Sequence, residues 1–385
     1  MIRIGINLLW IVPGEVGGSE EYTVGLLRAL HRLGASDVEI ILYVNRRFAR
    51  EHHDLCGMFT TVVAPIEGGS RPLRVLYEST WLARRARRDQ LHAMHHAGGT
   101  MPPLRTVPGI VTLHDLQPIT HPERFGPVKR LYIRTLAPRS LRSAAQVVCL
   151  TSFTAQDAVE LAGVDPGRIV LVPCGIDAAT TDPTQDQRAA VLEGLGLQPG
   201  RFVLYPAITY EHKNHRTLIA AFARILEQHP DCALVLTGGA GPVESEVVEQ
   251  IERLGIGAAV RRTGRVDAST LDILMRTAGV MAFPSSYEGF GLPVLEAMAR
   301  GCPVVCSGVG GLVEVGGPAV ALVDPFDVDR WVEAIDQVLA DEGYRTAMVG
   351  RGLEQSGRFR WSGSALALVG SYRSAAADTS TRFPS

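Results

Sequence analysis

Two acidic residues, Glu288 and Glu296, stand with seven residues between them in Pro284-Ser-Ser-Tyr-Glu288-Gly-Phe-Gly-Leu-Pro293-Val-Leu-Glu296-Ala-Met-Ala-Arg-Gly301. An apolar run leads into a glycine-containing loop, and Pro293 opens a helix that Gly301 ends. Proline is preorganised for a first helical turn and glycine for the exit. The amides of Phe290, Gly291 and Leu292 are therefore expected at a helix N-terminus, which carries about half a positive charge and suits a phosphate. Carboxylates on either side of a diphosphate can accept hydrogen bonds from sugar hydroxyls at one end and ribose hydroxyls at the other.

A cation for the same phosphates is offered by Tyr205-Pro-Ala-Ile-Thr-Tyr-Glu-His-Lys213-Asn-His215. Of the 38 basic residues only Lys129 and Lys213 are lysines, and Lys129 is read as incidental. Lys213 falls at a helix start, where a positive charge is unfavourable unless an anion pairs with it. A compact ammonium there suits a diphosphate leaving group. Gly14-Glu-Val-Gly17-Gly18-Ser19 follows the first strand. Its glycines permit close backbone approach and Ser19 is the expected helix cap. Its spacing is not that of a dinucleotide-binding Gly-x-Gly-x-x-Gly loop. Val111-Thr-Leu-His114-Asp115-Leu-Gln-Pro118 is again a strand end carrying titratable groups.

The segment Glu-Gly-Phe-Gly-Leu-Pro-x-Leu-Glu-Ala-Met-Ala-x-Gly-x-Pro-Val resembles the Glu-x7-Glu signature of the retaining GT-B glycosyltransferases, in particular the GT4 family (glycosyl transferase group 1). The resemblance covers nearly the whole chain and is most specific in the second half. It implies that Glu288 contacts the sugar of a nucleotide-diphosphate sugar donor and Glu296 its ribose. Lys213 then meets the diphosphate, and the loop at Gly17 and Gly18 reaches the donor phosphates and shapes the acceptor site. His114 lies near the anomeric carbon, with Asp115 orienting it or the acceptor. The family usually carries an arginine a few residues before the lysine, where this chain has Ala207, Ile208 and Thr209. Arg265 is a candidate to compensate, although the loop of Arg265 and Val266 in relatives mainly frames the nucleobase.

Those residues need strand ends to hold them, and strand-like and helix-like runs alternate along all 385 residues. That alternation implies parallel sheets with crossover helices. The reading is an α/β chain of the GT-B type, with two Rossmann-like doubly wound parallel-sheet domains facing a cleft. Residues 1–178 form an N-terminal acceptor-binding domain and 200–360 a C-terminal domain for the nucleotide sugar. The polar, proline-containing stretch from Asp177 to Gly200 links them. A helix at 361–377 packs back on the first domain, and residues beyond Asp378 fray.

Composition narrows the function. A formal charge of −2 argues against nucleic acid as partner. The six cysteines lack a tight framework, and Cys302 and Cys306 flank a buried strand rather than forming half of a zinc site. The first strand lacks a signal-peptide core, and no run approaches a membrane span. The protein is therefore expected to be cytoplasmic. The run Trp81-Leu-Ala-Arg84-Arg85-Ala-Arg87-Arg88, after Leu73, Val75, Leu76 and Tyr77, is read as a solvated helix face. Peripheral contact with the anionic inner face of a membrane is its alternative. Asp327-Val-Asp329 matches the metal-binding Asp-x-Asp of GT-A enzymes but precedes a helix, where aspartate favours the N-terminus.

The expected activity is retaining transfer of a hexose, mannose- or rhamnose-like, to a hydroxyl of a glycan, lipid-linked or small-molecule acceptor. No metal and no cofactor are expected. Rival readings are a sugar-nucleotide epimerase of the same fold, a phosphorylase using Lys213 as a Schiff base, and a catalytically idle nucleotide-sugar-binding protein.

Overall fold

A computed structural model describes residues 1–121, 136–176 and 182–382; Lys129 and Asp177 lie outside them. The chain divides into two compact units, Met1–Gly175 with Arg360–Ser385, and Ile176–Phe359. Each unit is built on a sheet whose strands are all parallel.

In the first unit the strands are β1 (Ile2–Leu8), β2 (Val38–Val44), β3 (Thr60–Val63), β4 (Ala93–His96), β5 (Gly109–Leu113), β6 (Gln146–Cys149) and β7 (Ile169–Leu171), in the order β3-β2-β1-β4-β5-β6-β7. In the second they are β8 (Phe202–Pro206), β9 (Ala233–Thr237), β10 (Val260–Gly264), β11 (Val280–Phe283), β12 (Val304–Ser307) and β13 (Ala321–Val323), in the order β10-β9-β8-β11-β12-β13. Strand order reverses between β1 and β4 in one sheet and between β8 and β11 in the other. In open parallel sheets the crevice outside the carboxyl ends at such a reversal is where ligands bind.

Helices cover both sheet faces, so the central strands are apolar on both sides. Every residue of β5, β9, β11 and β12 is buried. The helices used below are α1 (Gly18–Leu33), α2 (Arg71–Ser79), α3 (Trp81–Arg88), α4 (Gln185–Leu195), α5 (His215–Gln228), α6 (Leu292–Ala299) and α7 (Trp361–Arg382).

Two expectations are corrected. The stretch from Asp177 to Gly200 is not a linker throughout. Thr184 and Gln187 form a capping box at the head of α4, and Leu192 and Leu197 join a core with Phe202, Leu204, Val235 and Leu274. Pro183 and Pro199 flank this helix rather than break it. The terminal helix α7 is also longer than expected, reaching Arg382.

Helix α7 is fixed to the first sheet by a buried polar contact. His95 in β4 is 2% exposed, with Nδ1 2.9 Å from the Tyr372 hydroxyl and Nε2 2.7 Å from that of Thr112. At the head of α7, Trp361 packs where Gly25 and Gly175 leave room; a Cβ at Gly175 would lie 2.1 Å from the Trp361 nitrogen.

Burial pushes the His95 imidazole from its ordinary value of 6.5 down to about 3, and His96 likewise to about 3. The unfolded rings therefore bind protons that the folded ones refuse. Their contribution to stability is complete above pH 6.5 and is lost as the pH falls toward 3. The denaturation midpoint of the first unit is expected to drop between pH 7 and pH 5 (about the upper half of that window). His95→Gln should flatten the decline; an equal slope in that variant would remove His95 as a source.

Candidate functional site

The loops that leave β8 and β11, the two strands at the reversal of the second sheet, carry the expected cation and the first expected carboxylate. Lys213 ends a short 3-10 turn, Glu211–Lys213, just before α5. Its Nζ forms a hydrogen-bonded ion pair with Glu288 Oε1, and both side chains are mostly buried, at 19% and 14% exposure. Nζ also lies 5.3 Å from the centroid of the Phe283 ring, a cation–π distance. Behind it, the Tyr205 hydroxyl donates to the Lys213 carbonyl.

Asn214 joins the two loops. Its backbone takes a left-handed conformation (φ 52°). Its Nδ2 donates to the carbonyls of Pro284 at 3.2 Å and Pro325 at 2.5 Å, while Oδ1 accepts from Thr217 Oγ1 at 2.9 Å. Nearby, the Ser286 amide donates to the His212 carbonyl at 2.7 Å. These bonds stitch the Lys213 turn to the beginning of the Glu288 loop, so the ion pair needs little further ordering. Asn214 was passed over in the sequence; asparagine tolerates a positive φ, which is the one local signal of its role.

The far end of the Glu288 loop is equally constrained. The Glu288 carbonyl accepts from the Gly311 amide at 2.9 Å. A Cβ on Gly311 would come within 2.3 Å of the Gly289 carbonyl oxygen. Gly291, at φ 87°, caps α6; a Cβ there would lie 2.3 Å from Leu312 Cδ2. Phe290 is buried and meets the Phe359 ring edge-on at 5.9 Å. The amides of Phe290, Gly291 and Leu292 donate to no acceptor among the described residues. They lie at the head of α6, as the placing of Pro293 implied. Such a terminus is an anion site. Glu296 sits half-buried on α6, one turn further on, and its carbonyl accepts from Arg300 Nη1 at 3.0 Å.

Where the resemblance leads one to look for an arginine, Thr209 is occupied otherwise. Its Oγ1 donates to Glu244 Oε2 at 2.7 Å and accepts from the Gly241 amide at 2.6 Å. Arg262 pairs with the other oxygen of Glu244. Burial pushes the Glu244 carboxyl up, but hydrogen bonds from Thr209 and Arg262 outweigh it and hold the group below its ordinary value. Arg265 and Val266 follow β10, the edge strand, with β9 standing between β10 and β8. Asp327 accepts from the Arg330 amide at 3.1 Å at the head of the helix Val328–Ala340, and Asp329 pairs with Arg224.

In the first unit, Gly17 rather than Ser19 caps α1, at φ 61°. A Cβ at Gly17 or Gly18 would meet nothing within 4 Å, so the loop is open. It is held from below by Glu20, whose carboxylate accepts from the Gly14 amide at 2.9 Å and lies 2.8 Å from His52 Nε2.

His114 follows β5. Its Nε2 lies 2.8 Å from the Ala97 carbonyl, so that nitrogen carries the proton and Nδ1 is left as an acceptor. Tyr22 meets the ring edge-on at 5.6 Å and Trp10 lies 6.0 Å away. Burial outweighs the bond to Ala97 and lowers the ring's pKa, which keeps it neutral at neutral pH. The Ala97 carbonyl thus fixes the ring from one side, and Asp115 Oδ1 accepts from the Gln117 amide at 3.0 Å.

A family described as "Glycosyl transferases group 1" matches residues 194–355, and one described as "Glycosyltransferase Family 4" matches 16–180. The chain is 31% identical over 291 residues to the O-antigen chain mannosyltransferase B of Escherichia coli, covering 75% of this chain and 76% of that protein. It is 28% identical to a D-inositol 3-phosphate glycosyltransferase of Acidothermus cellulolyticus, over 96% of this chain and 88% of the relative. Among solved structures, Anabaena HepE in complex with UDP and glucose superposes with a TM-score of 0.75 at 20% identity, covering 97% of this chain and 100% of that one. The sucrose-phosphate synthase of Thermosynechococcus elongatus gives 0.75 at 23%, covering 97% and 98%. At these identities the structural likeness speaks to the fold, which is GT-B.

Gly291→Ala forces a left-handed φ on a side chain and drives it into Leu312. The variant is expected to destabilise the second unit by about 1–3 kcal/mol in denaturant titration. An unchanged midpoint would mean that the loop has another conformation open to it.

Proposed function

The chain belongs to the group 1 glycosyl transferases of the GT4 type, and from that premise we propose that it transfers a hexose from a nucleotide-diphosphate sugar to an acceptor hydroxyl with retention and without a metal. The observation that carries this reading is the Lys213–Glu288 pair at the strand-order reversal, beside the unpaired amides at the head of α6.

Departure of the diphosphate is the demanding step, because negative charge builds on its oxygens as the anomeric carbon becomes cationic. Lys213 and the amides of Phe290, Gly291 and Leu292 supply fixed positive potential where that charge develops. They need no reorganisation in the transition state, since Asn214 and the glycines already hold the loops. Before donor binds, Glu288 neutralises Lys213. With the diphosphate in place, the ammonium turns to phosphate and Glu288 is released to accept from a sugar hydroxyl. Glu296, further along the same helix, is assigned to the ribose.

Retention is assigned to attack on the face from which the diphosphate leaves. The acceptor oxygen bonds to the anomeric carbon, the bond from that carbon to the phosphate oxygen breaks, and the departing phosphate oxygen takes the acceptor's proton. His114, neutral and with Nδ1 free to accept, is assigned to orienting a sugar hydroxyl rather than donating a proton. Because Lys213 and the helix end provide the cationic partner, a divalent ion is not required by this chemistry.

The relatives named above include a mannosyltransferase and an inositol-phosphate glycosyltransferase, which favours a mannose-like or related hexose. A glycan, lipid-linked or small polyol-like acceptor fits the same reading. Among the described residues no helix is long and apolar enough to cross a membrane, so contact with a lipid-linked acceptor would be peripheral.

A thermal-shift screen of UDP-, GDP- and dTDP-sugars identifies the donor. With that donor, Lys213→Ala and Glu288→Ala should each lower transfer by at least about a hundredfold, the scale for losing transition-state electrostatics. The same assay should persist in excess chelator. Near-normal turnover in either variant, or a strict requirement for Mg²⁺ or Mn²⁺, would contradict the mechanism.

A further inference from the structure

Helices α2 and α3 of the first unit are separated by Thr80 alone. The Thr80 amide donates to the Leu76 carbonyl at 3.0 Å, and the Thr80 carbonyl accepts from the Arg84 amide at 3.1 Å, so that Thr80, at φ −117°, ends one helix and opens the next. Within each helix the exposed residues lie at helical steps: Leu73 and Leu76 three apart on α2, and Arg84 three and four before Arg87 and Arg88 on α3.

The opposite face of α3 is already used: Leu82 and Ala86 are buried against Ile41, Tyr43 and Met94. Helix α2 buries none of its residues, and Leu73 and Leu76 stand 42% and 56% exposed. Leu104, 65% exposed, borders the small hollow of about 10 Å³ beneath the same helices, shared with Glu78, Leu82, Ala83 and Ala86.

Charge on this face is one-sided. Between residues 68 and 100 the acidic side chains are Glu78 and Asp89. Glu78 faces Asn7 and Arg74, and Asp89 takes the Tyr43 hydroxyl and Arg85. Arg71, Arg84, Arg87 and Arg88 make no ion pair among the described residues. A chain of net charge −2 thus gathers four unpaired guanidinium groups beside three exposed leucines.

We propose that this α2–α3 face docks on the surface of an anionic phospholipid bilayer. Leucines can enter the acyl boundary while the arginine stems lie along it and their heads reach lipid phosphates. A nucleic acid would use the arginines but gain nothing from the leucines. The proposal rests on the function above in one respect: a bilayer surface is where a lipid-linked acceptor would be met.

The test is co-sedimentation of the full chain with vesicles of phosphatidylcholine alone and of an equimolar mixture with phosphatidylglycerol. Binding is expected to the mixed vesicles only and should weaken with salt. Arg84→Gln/Arg87→Gln/Arg88→Gln should lower partitioning by about a hundredfold. Leu73→Ser/Leu76→Ser, which leaves the charge unchanged, should lower it by at least about tenfold. Should the triple variant misfold, Arg88→Gln alone should still cost about fivefold.

No sedimentation of the parent chain with mixed vesicles would overturn the proposal, as would a triple variant binding within about twofold of it. Unchanged binding by the leucine variant would overturn it as well, marking a face for polyanions in general. The nucleotide-sugar thermal shift, read on the same samples, separates the outcomes. Its loss in the parent chain speaks against the function, while its retention with vesicle binding absent speaks against docking alone.

Discussion

An ammonium and a carboxylate from different loops meet where the second sheet reverses its strand order, and much of that unit is arranged to bring them there. Taking two charges largely out of water is costly unless each finds a partner. Lys213 and Glu288 find one another, and the face of Phe283 adds to the cation's surroundings. The arrangement is a poised one. Each charge satisfies the other, and in the proposed mechanism each exchanges its partner for a group of the sugar nucleotide: phosphate for the lysine, a hydroxyl for the glutamate.

What holds the pair is mostly uncharged. Asn214 binds the Lys213 turn to Pro284 and Pro325, the Ser286 amide donates to the His212 carbonyl, and the Gly311 amide donates to the Glu288 carbonyl. At Gly291 and Gly311 the lack of a Cβ allows the loop to pass Leu312 and Gly289 and deliver α6 with its amides unspent. Thr209, Glu244 and Arg262 form a second, self-contained network at the place where relatives are expected to carry a cation. In the proposed mechanism the positive potential at the site is supplied by Lys213 and the helix end.

Much of this was legible because it is local. Buried strands announce themselves as apolar runs, and proline and glycine mark the ends of α6 where the backbone demands them. Lys213 stood out because lysine is so scarce in the chain. Other features depend on tertiary contacts. Strand β4 ends in His95 and His96, whose polarity hides a strand that is buried throughout. Helix α4 has prolines on both sides and a polar first turn, so its membership in the second core appears only when Leu192 meets Phe202. The partner of His114 is a carbonyl at Ala97, and no side-chain pattern points to a carbonyl. The leucines and arginines of α2 and α3 were visible as composition, but their exposure depends on which face the core claims.

The central claim is that Glu288 stands in for the donor's diphosphate on Lys213. Calorimetric titration of the free nucleoside diphosphate and of the sugar nucleotide into Lys213→Met and Glu288→Gln addresses it most directly. Lys213→Met should weaken both ligands. Glu288→Gln should bind the free diphosphate at least as tightly as the parent chain, having lost the competitor for the ammonium, while losing the affinity that the sugar adds. If Glu288→Gln instead weakens the free diphosphate as much as Lys213→Met does, the pair is a rigid brace and the exchange does not occur.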